Sequence, residues 1–304
     1  MNTQPFVSMN LLKDLDAALR KKFAKLGITP KGSPSSVKEL CLTYLKALDR
    51  RISPVKRTVH ISKELQAKIS NLSIDEQQAI QNIRQDAEHG NDLHKYFSTT
   101  IVTDYEDMLF SDWGIIHLHL GTKLGKNPAF IKRTMNLLFV HATKNELYFI
   151  DVLDHDLING FSNDALIKIL HANWPHITTP NILVGIPEDH ITNEQRAQMR
   201  KSGTASVVGL GDGRVISHIG GGYLQPIMLT LKLMNEIEAL EYKIRANPLG
   251  YLSAIQRESK QQKTIFENAQ TLLDVKLIDT KNGFEVIETI TGCRLGGWEV
   301  EKNH

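Results

Sequence analysis

The residues of this sequence best suited to chemistry are two histidines separated by a single residue, His117 and His119. They lie in an apolar run, and residues 112–155 hold four of the chain's twelve histidines. Alternate side chains of a β-strand point to the same side of a sheet. If residues 113–120 form a strand, the two imidazoles lie side by side with Ile115, on a surface or in a cleft. The opposite, core-facing side of this strand is predicted to consist of Ile116, Leu118 and Leu120.

Two imidazoles at one site are suited to general acid and base catalysis, because histidine changes its charge close to neutral pH. A third histidine follows Asp154, and basic residues lie in the connection after the first strand. Lysine and arginine stabilise the negative charge of a phosphoryl transition state. Metal-independent cleavage of RNA is therefore one hypothesis for this pattern.

The elements that must position these residues are three short apolar runs. Residues 113–120, 137–140 and 147–152 each have the length and composition of a strand, and residues 143–146 have the composition of a turn. Together they predict a meander of three antiparallel strands. The remaining histidines of the region, His141, His171 and His176, are interpreted as loop or surface residues.

This strand pattern, with basic residues between and beside the strands, resembles the RelE/ParE-type toxin superfamily over about residues 92–156. The resemblance implies helices packed against a small antiparallel sheet that bears scattered Lys, Arg, His and Tyr. It also implies a toxin-like or defence-effector ribonuclease. The resemblance implies that His117, His119 and His155 are the catalytic acid and base candidates. It implies in the same way that Lys123, Lys132 and Arg133 bind the substrate phosphate. The large segments on either side of residues 92–156 depart from that family.

A metal-dependent hydrolase is an alternative. The His-x-His pair at 117 and 119 resembles the strand of amidohydrolase-type barrels, in which two imidazoles bind a divalent metal. Such a barrel alternates strands with helices, and the segments after residue 119 do not follow that pattern. The ribonuclease hypothesis requires no metal and no cofactor, and the metal-dependent hydrolase stays an alternative to it.

The other alternative is a non-enzymatic module that binds nucleic acid or protein. Helical periodicity predicts two helices at residues 11–26 and 35–52, with basic clusters beside them, and a longer helix at 225–245 that could mediate a homodimer. No GxSxG, HExxH, paired CxxC or P-loop motif is present. The glycine run at 220–222 is interpreted as a connector with unusual backbone angles.

Composition limits the function classes. The 304 residues include 36 basic and 34 acidic side chains, so the formal net charge is only +2 and any nucleic-acid surface must be local. The two cysteines, Cys41 and Cys293, lie far apart, and Cys41 falls on an apolar helical stripe. This usage favours a buried thiol in a reducing cytoplasm. No membrane span or signal-peptide core is found.

The expected fold class is α+β, with a central antiparallel sheet flanked by helices. An N-terminal helical module would cover residues 1–58, a central domain 59–246, and a helical segment with a terminal hairpin 247–304. The expected partners are RNA, a regulatory protein and a second copy of the chain, with no membrane. The expected location is the cytoplasm.

Overall fold

A computed structural model describes residues 6–26, 30, 36–98, 108–154, 162–187, 191–202, 204, 206–220, 224–258 and 272–300. Its helices are α1 (Leu11–Lys25), α2 (Val37–Asp49), α3 (Lys63–Lys68), α4 (Ile74–His89), α5 (Met108–Trp113), α6 (Ala165–Asn173), α7 (Pro175–Thr178), α8 (Asn193–Lys201), α9 (Leu224–Ala246) and α10 (Pro248–Glu258). Its strands are β1 (Phe6–Ser8), β2 (Thr58–Ile61), β3 (Ile115–His119), β4 (Asn136–Ala142), β5 (Glu146–Asp154), β6 (Ile182–Val184), β7 (Val208–Gly209), β8 (Arg214–Ile216), β9 (Leu272–Asp279), β10 (Gly283–Glu288) and β11 (Arg294–Glu299).

These helices and mixed sheets confirm the α+β class. The chain forms two compact units, one of residues 1–49 with 225–302 and one of residues 50–224. This division differs from three consecutive domains, because β1 pairs in parallel with β9 and joins the two ends of the chain in one sheet. Among the described residues, no helix combines the length and the apolar character needed to cross a membrane.

The first unit is a four-stranded sheet in the order β1-β9-β10-β11, with α1 packed on β9 and α2 packed on α1. The predicted hairpin at Asn282-Gly283 is confirmed as the β9–β10 turn. Lys22 of α1 is buried because its Nζ donates a hydrogen bond of 3.0 Å to the carbonyl of Thr280 and lies over the ring of Phe284.

Two helices of the first unit follow their sequence patterns. On α9, Leu233, Ile237 and Ile244 of the predicted apolar stripe are buried. Cys41 of α2 is a fully buried free thiol. Burial raises its pKa to about 12, and a hydrogen bond with Thr230 acts in the opposite direction. Such a thiol remains protonated at neutral pH and is a poor nucleophile.

The second unit contains the predicted meander. Strands β3, β4 and β5 are antiparallel neighbours, and β2 adds a parallel strand beside β5 to give the order β2-β5-β4-β3. A register shift interrupts the β4–β5 pairing between Phe139 and Val140. The region of β2 was predicted to be a boundary between domains. It forms a strand because residues 58–61 pair with β5, which lies far away in the sequence.

Both faces of the central sheet are buried over part of their area. One face contributes to a core that includes α5, α6, β7 and β8, and this core covers Ile115, Leu137 and Phe139. The members of this core are Leu109, Trp113, Ile115, Leu137, Phe139, Tyr148, Ile150, Leu166, Ile167, Leu170, Val208 and Ile216. On the other face, Leu118, Leu138 and Val140 are also fully buried.

Local signals set several helix and turn boundaries in this unit. Ser73 and Glu76 form a capping box at the start of α4, and Gly90 ends that helix with a positive φ of 77°. The predicted hairpin near residue 212 is confirmed as β7–β8, with Gly211 and Gly213 at positive φ. The third sheet has the order β6-β8-β7.

Candidate active site

The predicted His-x-His pair lies on β3, at the edge of the central sheet. His119 is only 2% exposed and His117 is half-buried. The expectation of a surface or open cleft is therefore wrong for His119 and Ile115. The reason is tertiary: His119 is paired with Leu137, and Ile115 and Leu137 belong to a core that also contains α5, α6 and the β7–β8 hairpin. The catalytic roles of the pair remain predictions.

The predicted phosphate-binding residues lie elsewhere. Lys123, Lys132 and Arg133 are exposed on the connection between β3 and β4, where the amide of Lys132 donates a hydrogen bond of 2.8 Å to the carbonyl of Lys123. We call residues 121–133 the basic hairpin. His155 lies outside the described residues.

The metal-site alternative lacks a ligand set in the part of the chain that the structure describes. No group of three or more His, Cys, Asp or Glu side chains is arranged there to hold a metal ion. A metal that acts in hydrolysis requires about three protein ligands. The His-x-His pair therefore has no described companion ligands.

Three of the basic residues near the N-terminus are buried. Lys22 is buried in the first unit, and Arg50 and Arg57 are buried in the second. The Arg57 guanidinium donates hydrogen bonds to the carbonyl of Thr143 at 2.9 Å and to the Ser53 hydroxyl at 2.9 Å. Arg57 therefore secures the start of β2, and its buried guanidinium is not available for nucleic acid.

A different set of polar side chains meets where β5 begins. The register places His60 of β2 beside Tyr148 of β5, and Tyr148 beside His141 of β4. Residues paired in this way point to the same side of a sheet. The His60 and Tyr148 rings are stacked, with centroids 5.0 Å apart and planes at 18°.

Glu146 joins this row because it lies two residues before Tyr148 on the same strand. The Tyr148 hydroxyl donates a short hydrogen bond to Oε2 of Glu146. The other carboxylate oxygen, Oε1, lies 3.3 Å from Nε2 of His60. One carboxylate therefore connects a phenol and an imidazole from two strands.

The fourth member, His176, comes from the junction of α6 and α7. Its Nε2 lies 3.2 Å from the Tyr148 hydroxyl, and Trp174 packs against the Tyr148 ring at 4.9 Å. Pro175 ends α6 and starts α7, which turns the chain toward the sheet. We call His60, Glu146, Tyr148 and His176 the His–Glu–Tyr cluster.

Further hydrogen bonds fix this junction. Asn173 donates to Glu64 of α3 at 2.7 Å and accepts from the Lys63 amide at 3.1 Å. Nδ1 of His171 lies 2.6 Å from the hydroxyl of Thr178. Because α3 follows β2 directly, these bonds hold the two histidine-bearing segments in register with each other.

The cluster is open to solvent. The side chains of His60 and Glu146 are 35% and 41% exposed, and His176 is also exposed. The Tyr148 ring, at 1% exposure, forms the floor. A substrate can therefore reach the two imidazoles, in contrast to the buried His119.

Hydrogen bonding sets the charge of the cluster. The bond from Tyr148 lowers the pKa of Glu146, and His60 adds to this effect against the opposing effect of burial. Burial, together with the same carboxylate, raises the pKa of Tyr148. At neutral pH the cluster therefore contains a carboxylate anion and a neutral phenol.

This charge state determines the tautomers of both imidazoles. An ionised carboxylate only accepts hydrogen bonds, so His60 donates its Nε2 hydrogen to Glu146. The single hydrogen of the Tyr148 hydroxyl is given to Glu146, so Nε2 of His176 donates to the phenol oxygen. In each neutral ring the lone pair is then on Nδ1. No described residue forms a hydrogen bond with Nδ1 of either ring.

His141 supports the row from its inner side. Its Nδ1 lies 3.1 Å from the carbonyl of Gly114, and its ring centroid is 6.3 Å from that of Tyr148. Burial lowers the pKa of His141, against the raising effect of its bond to Gly114. A neutral, anchored imidazole at this place stabilises the position of Tyr148 without taking part in proton transfer.

The cluster was not predicted from the sequence because its members come from three separate parts of the chain. Glu146 and Tyr148 lie two residues apart on a predicted strand, so the sequence indicated only that these two side chains share one face of the sheet. Comparison of the chain with protein-family models, with curated proteins and with solved structures found no match.

Proposed function

We propose that this protein is a metal-independent endoribonuclease whose acid and base are His60 and His176. The observation that supports the proposal most directly is the solvent-open cluster in which Glu146 and Tyr148 orient both imidazoles. It has the components of acid–base catalysis: two imidazoles whose side chains reach solvent, a carboxylate that orients His60 and a phenol that orients His176.

The reaction needs no other reagent than the RNA strand. One imidazole, neutral, takes the proton of a ribose 2′-hydroxyl, whose oxygen forms a bond to the adjacent phosphorus. The other imidazole, protonated, gives its proton to the 5′ oxygen as the bond between phosphorus and that oxygen breaks. The products are a 2′,3′-cyclic phosphate end and a 5′-hydroxyl end, and the two imidazoles have exchanged protonation states.

Glu146 and Tyr148 are positioning residues in this scheme. The carboxylate stabilises whichever imidazole carries the positive charge, as carboxylates beside catalytic histidines do. The Tyr148 hydroxyl transmits this effect to His176. Lys144 is exposed and lies two residues before Glu146, so it is the basic residue closest to Glu146 in the sequence. We expect it to contact the substrate phosphate.

This proposal keeps the reaction class that the histidines first suggested and moves the site. His119 is buried, whereas His60 and His176 reach solvent. The resemblance to RelE/ParE-type toxins implies the same reaction, the cleavage of RNA. That resemblance stays a prediction.

The test is cleavage of a single-stranded RNA in the presence of a chelator. His60→Ala and His176→Ala should each lower the rate by about 10²- to 10⁴-fold, the usual contribution of a general acid or base. His89→Ala is the matched control, because that exposed histidine of α4 bonds only to a backbone carbonyl of its own helix. It should retain the parent rate.

Two further controls define the chemistry. An oligonucleotide of the same sequence with 2′-deoxyribose should not be cleaved, and the RNA product should carry a cyclic phosphate. The rate should fall at both acidic and alkaline pH, since one imidazole must be protonated and the other neutral. Equal activity of His60→Ala, His176→Ala and His89→Ala would refute the assignment. Activity lost only in His117→Ala would return the site to β3.

A further inference from the structure

The basic hairpin carries charge of one sign. Residues 121–133 contain Lys123, Lys126, Lys132 and Arg133 and no acidic residue. All four side chains are exposed. Within the described part of the chain, the three lysines form no ion pair with a carboxylate. In a chain with a net charge of only +2, this is a local concentration of positive charge.

The hairpin is a defined structure. Leu124 forms a bridge with Ile131, and the Gly125 amide donates to the carbonyl of Phe130 at 2.8 Å. Gly121 permits this geometry, because a Cβ there would lie 2.5 Å from the carbonyl oxygen of Lys132. The chain can therefore close so tightly only with glycine at that position.

Apolar anchors hold the hairpin against the second unit. Phe130 and Ile131 are buried, and the Ile131 amide donates to the carbonyl of Lys95 at 2.8 Å. His94 packs on the Phe130 ring, with centroids 4.8 Å apart. The lysines thus project from a fixed base, which reduces the entropy lost when they bind a charged ligand.

The hairpin and the His–Glu–Tyr cluster lie at opposite ends of β4. His141, in the row of the cluster, and Asn136, next to the hairpin, are separated by five residues of this strand. At about 3.3 Å per residue this is about 17 Å. Lys123, Lys132 and Arg133 therefore cannot contact the phosphate that reacts at the cluster.

We propose that the basic hairpin is a second, distal binding surface for the phosphodiester backbone of the same RNA strand. The proposal rests on the function proposed above. A stacked strand rises about 3.4 Å per nucleotide, so a distance of about 17 Å corresponds to about five nucleotides. Substrates long enough to span both places bind more tightly than substrates that reach only the cluster.

The chemistry of the hairpin favours a nucleic-acid backbone over a protein partner. Its exposed charged side chains are all cationic, and residues 121–133 contain no acidic residue and no exposed aromatic side chain. Such a surface recognises phosphates regardless of base sequence. An interface core for a protein is usually depleted of lysine and contains buried aromatic anchors.

The test compares Lys123→Gln/Lys132→Gln with a charge-matched control in the first unit, Lys13→Gln/Lys38→Gln, whose lysines are also exposed. The ligands are two non-cleavable 2′-O-methyl RNAs. One has about 12 nucleotides, more than the about five needed to reach from the cluster to the basic hairpin, and the other has about 3 nucleotides, which is too few. Binding is measured by fluorescence anisotropy over a series of salt concentrations, with poly-glutamate as a second ligand.

The hairpin variant should bind the long RNA at least tenfold more weakly and the short RNA unchanged. Its plot of log affinity against log salt should flatten by about 1.4, since each phosphate contact on a single strand contributes about 0.7. The charge-matched control should bind as the parent does. Because the ligand cannot react, this outcome supports the surface even if no RNA cleavage is found.

Three results would overturn the proposal. The first is unchanged binding of the long RNA by the hairpin variant. The second is an equal loss in the charge-matched control, which would indicate a general effect of net charge. The third is loss of poly-glutamate binding alone, which would identify an acidic protein segment as the partner.

Discussion

Replacing Tyr148 with phenylalanine tests the central feature of the site. The substitution removes one hydroxyl that contacts Glu146 and His176 and leaves the ring, which packs on His60 and Trp174. The packing of the buried ring is therefore retained. What is lost is a hydrogen bond to an ionised carboxylate and a second bond to an imidazole.

The magnitude follows from the exposure of the partners. A hydrogen bond to a charged group contributes about 1.5–3 kcal/mol, and water replaces part of it here because Glu146 is 41% exposed. We expect Tyr148→Phe to lower the free energy of unfolding by about 1–2 kcal/mol. The pKa of Glu146 should rise toward its ordinary value, because the bond from Tyr148 is the largest cause of its depression.

The activity should fall by more than the loss of stability explains. We expect kcat for RNA cleavage to fall by between about 10- and 100-fold, less than the effect of removing an acid or base itself. The pH profile of kcat should shift, since both imidazoles lose part of their fixed orientation. Urea unfolding, an NMR titration of Glu146 and cleavage kinetics measure the three effects.

Tyr96→Phe is the matched control. Tyr96 is a buried tyrosine of the same unit whose hydroxyl donates to a carboxylate, Asp86, at 2.7 Å. It should lose a similar amount of stability and keep both the Glu146 titration and the cleavage rate of the parent. An unchanged Glu146 pKa in Tyr148→Phe, or equal cleavage by the two variants, would refute the assigned role of Tyr148.

Three further predictions concern stability. Asp112→Asn should lower the free energy of unfolding by about 3–5 kcal/mol, measured with urea, because it removes the carboxylate that lies 2.7 Å from the buried Arg200 guanidinium. The double variant Asp112→Asn/Arg200→Met should recover part of that loss. A loss below about 1 kcal/mol in Asp112→Asn would contradict the reasoning. Gly220→Ala should cost about 1–3 kcal/mol by the same measurement, since a Cβ there would lie 2.4 Å from a backbone carbonyl oxygen of α5. The melting temperature should decrease as the pH is lowered below about 4. Burial acts to raise the pKa of both Glu76 and Asp86, but their hydrogen bonds outweigh it and lower both pKa values. The stability that these two carboxylates contribute is present above their unfolded-state pKa values and is lost as the pH falls through their folded-state pKa values. Glu76→Gln/Asp86→Asn should weaken that dependence, and an unaltered dependence would show that other carboxyl groups cause it.

Much of the local structure was predictable from the sequence because its causes are local. The capping box of Ser73 and Glu76, the stop at Gly90 and the glycine turn at 211–213 depend on a few neighbouring residues. The meander of β3, β4 and β5 follows from apolar runs separated by turn residues. Periodicity likewise predicted α1, α2 and α9, whose apolar stripes must be buried.

The strands at the sheet edges were not predictable in the same way. Strand β2 is only four residues long, and β1 only three. Each exists because it pairs with a strand distant in sequence, β5 or β9. Strand pairing over such separations leaves no periodic signal in the segment itself.

The sequence by itself determined that this is an α+β protein with a histidine-bearing sheet, since composition and alternation are properties of single segments. Only the tertiary structure decided which histidines reach solvent. It buried His119, and it brought His60 next to Glu146 and His176 next to Tyr148. The physical reason is that exposure and hydrogen bonding depend on which segments pack together, and packing depends on the whole chain.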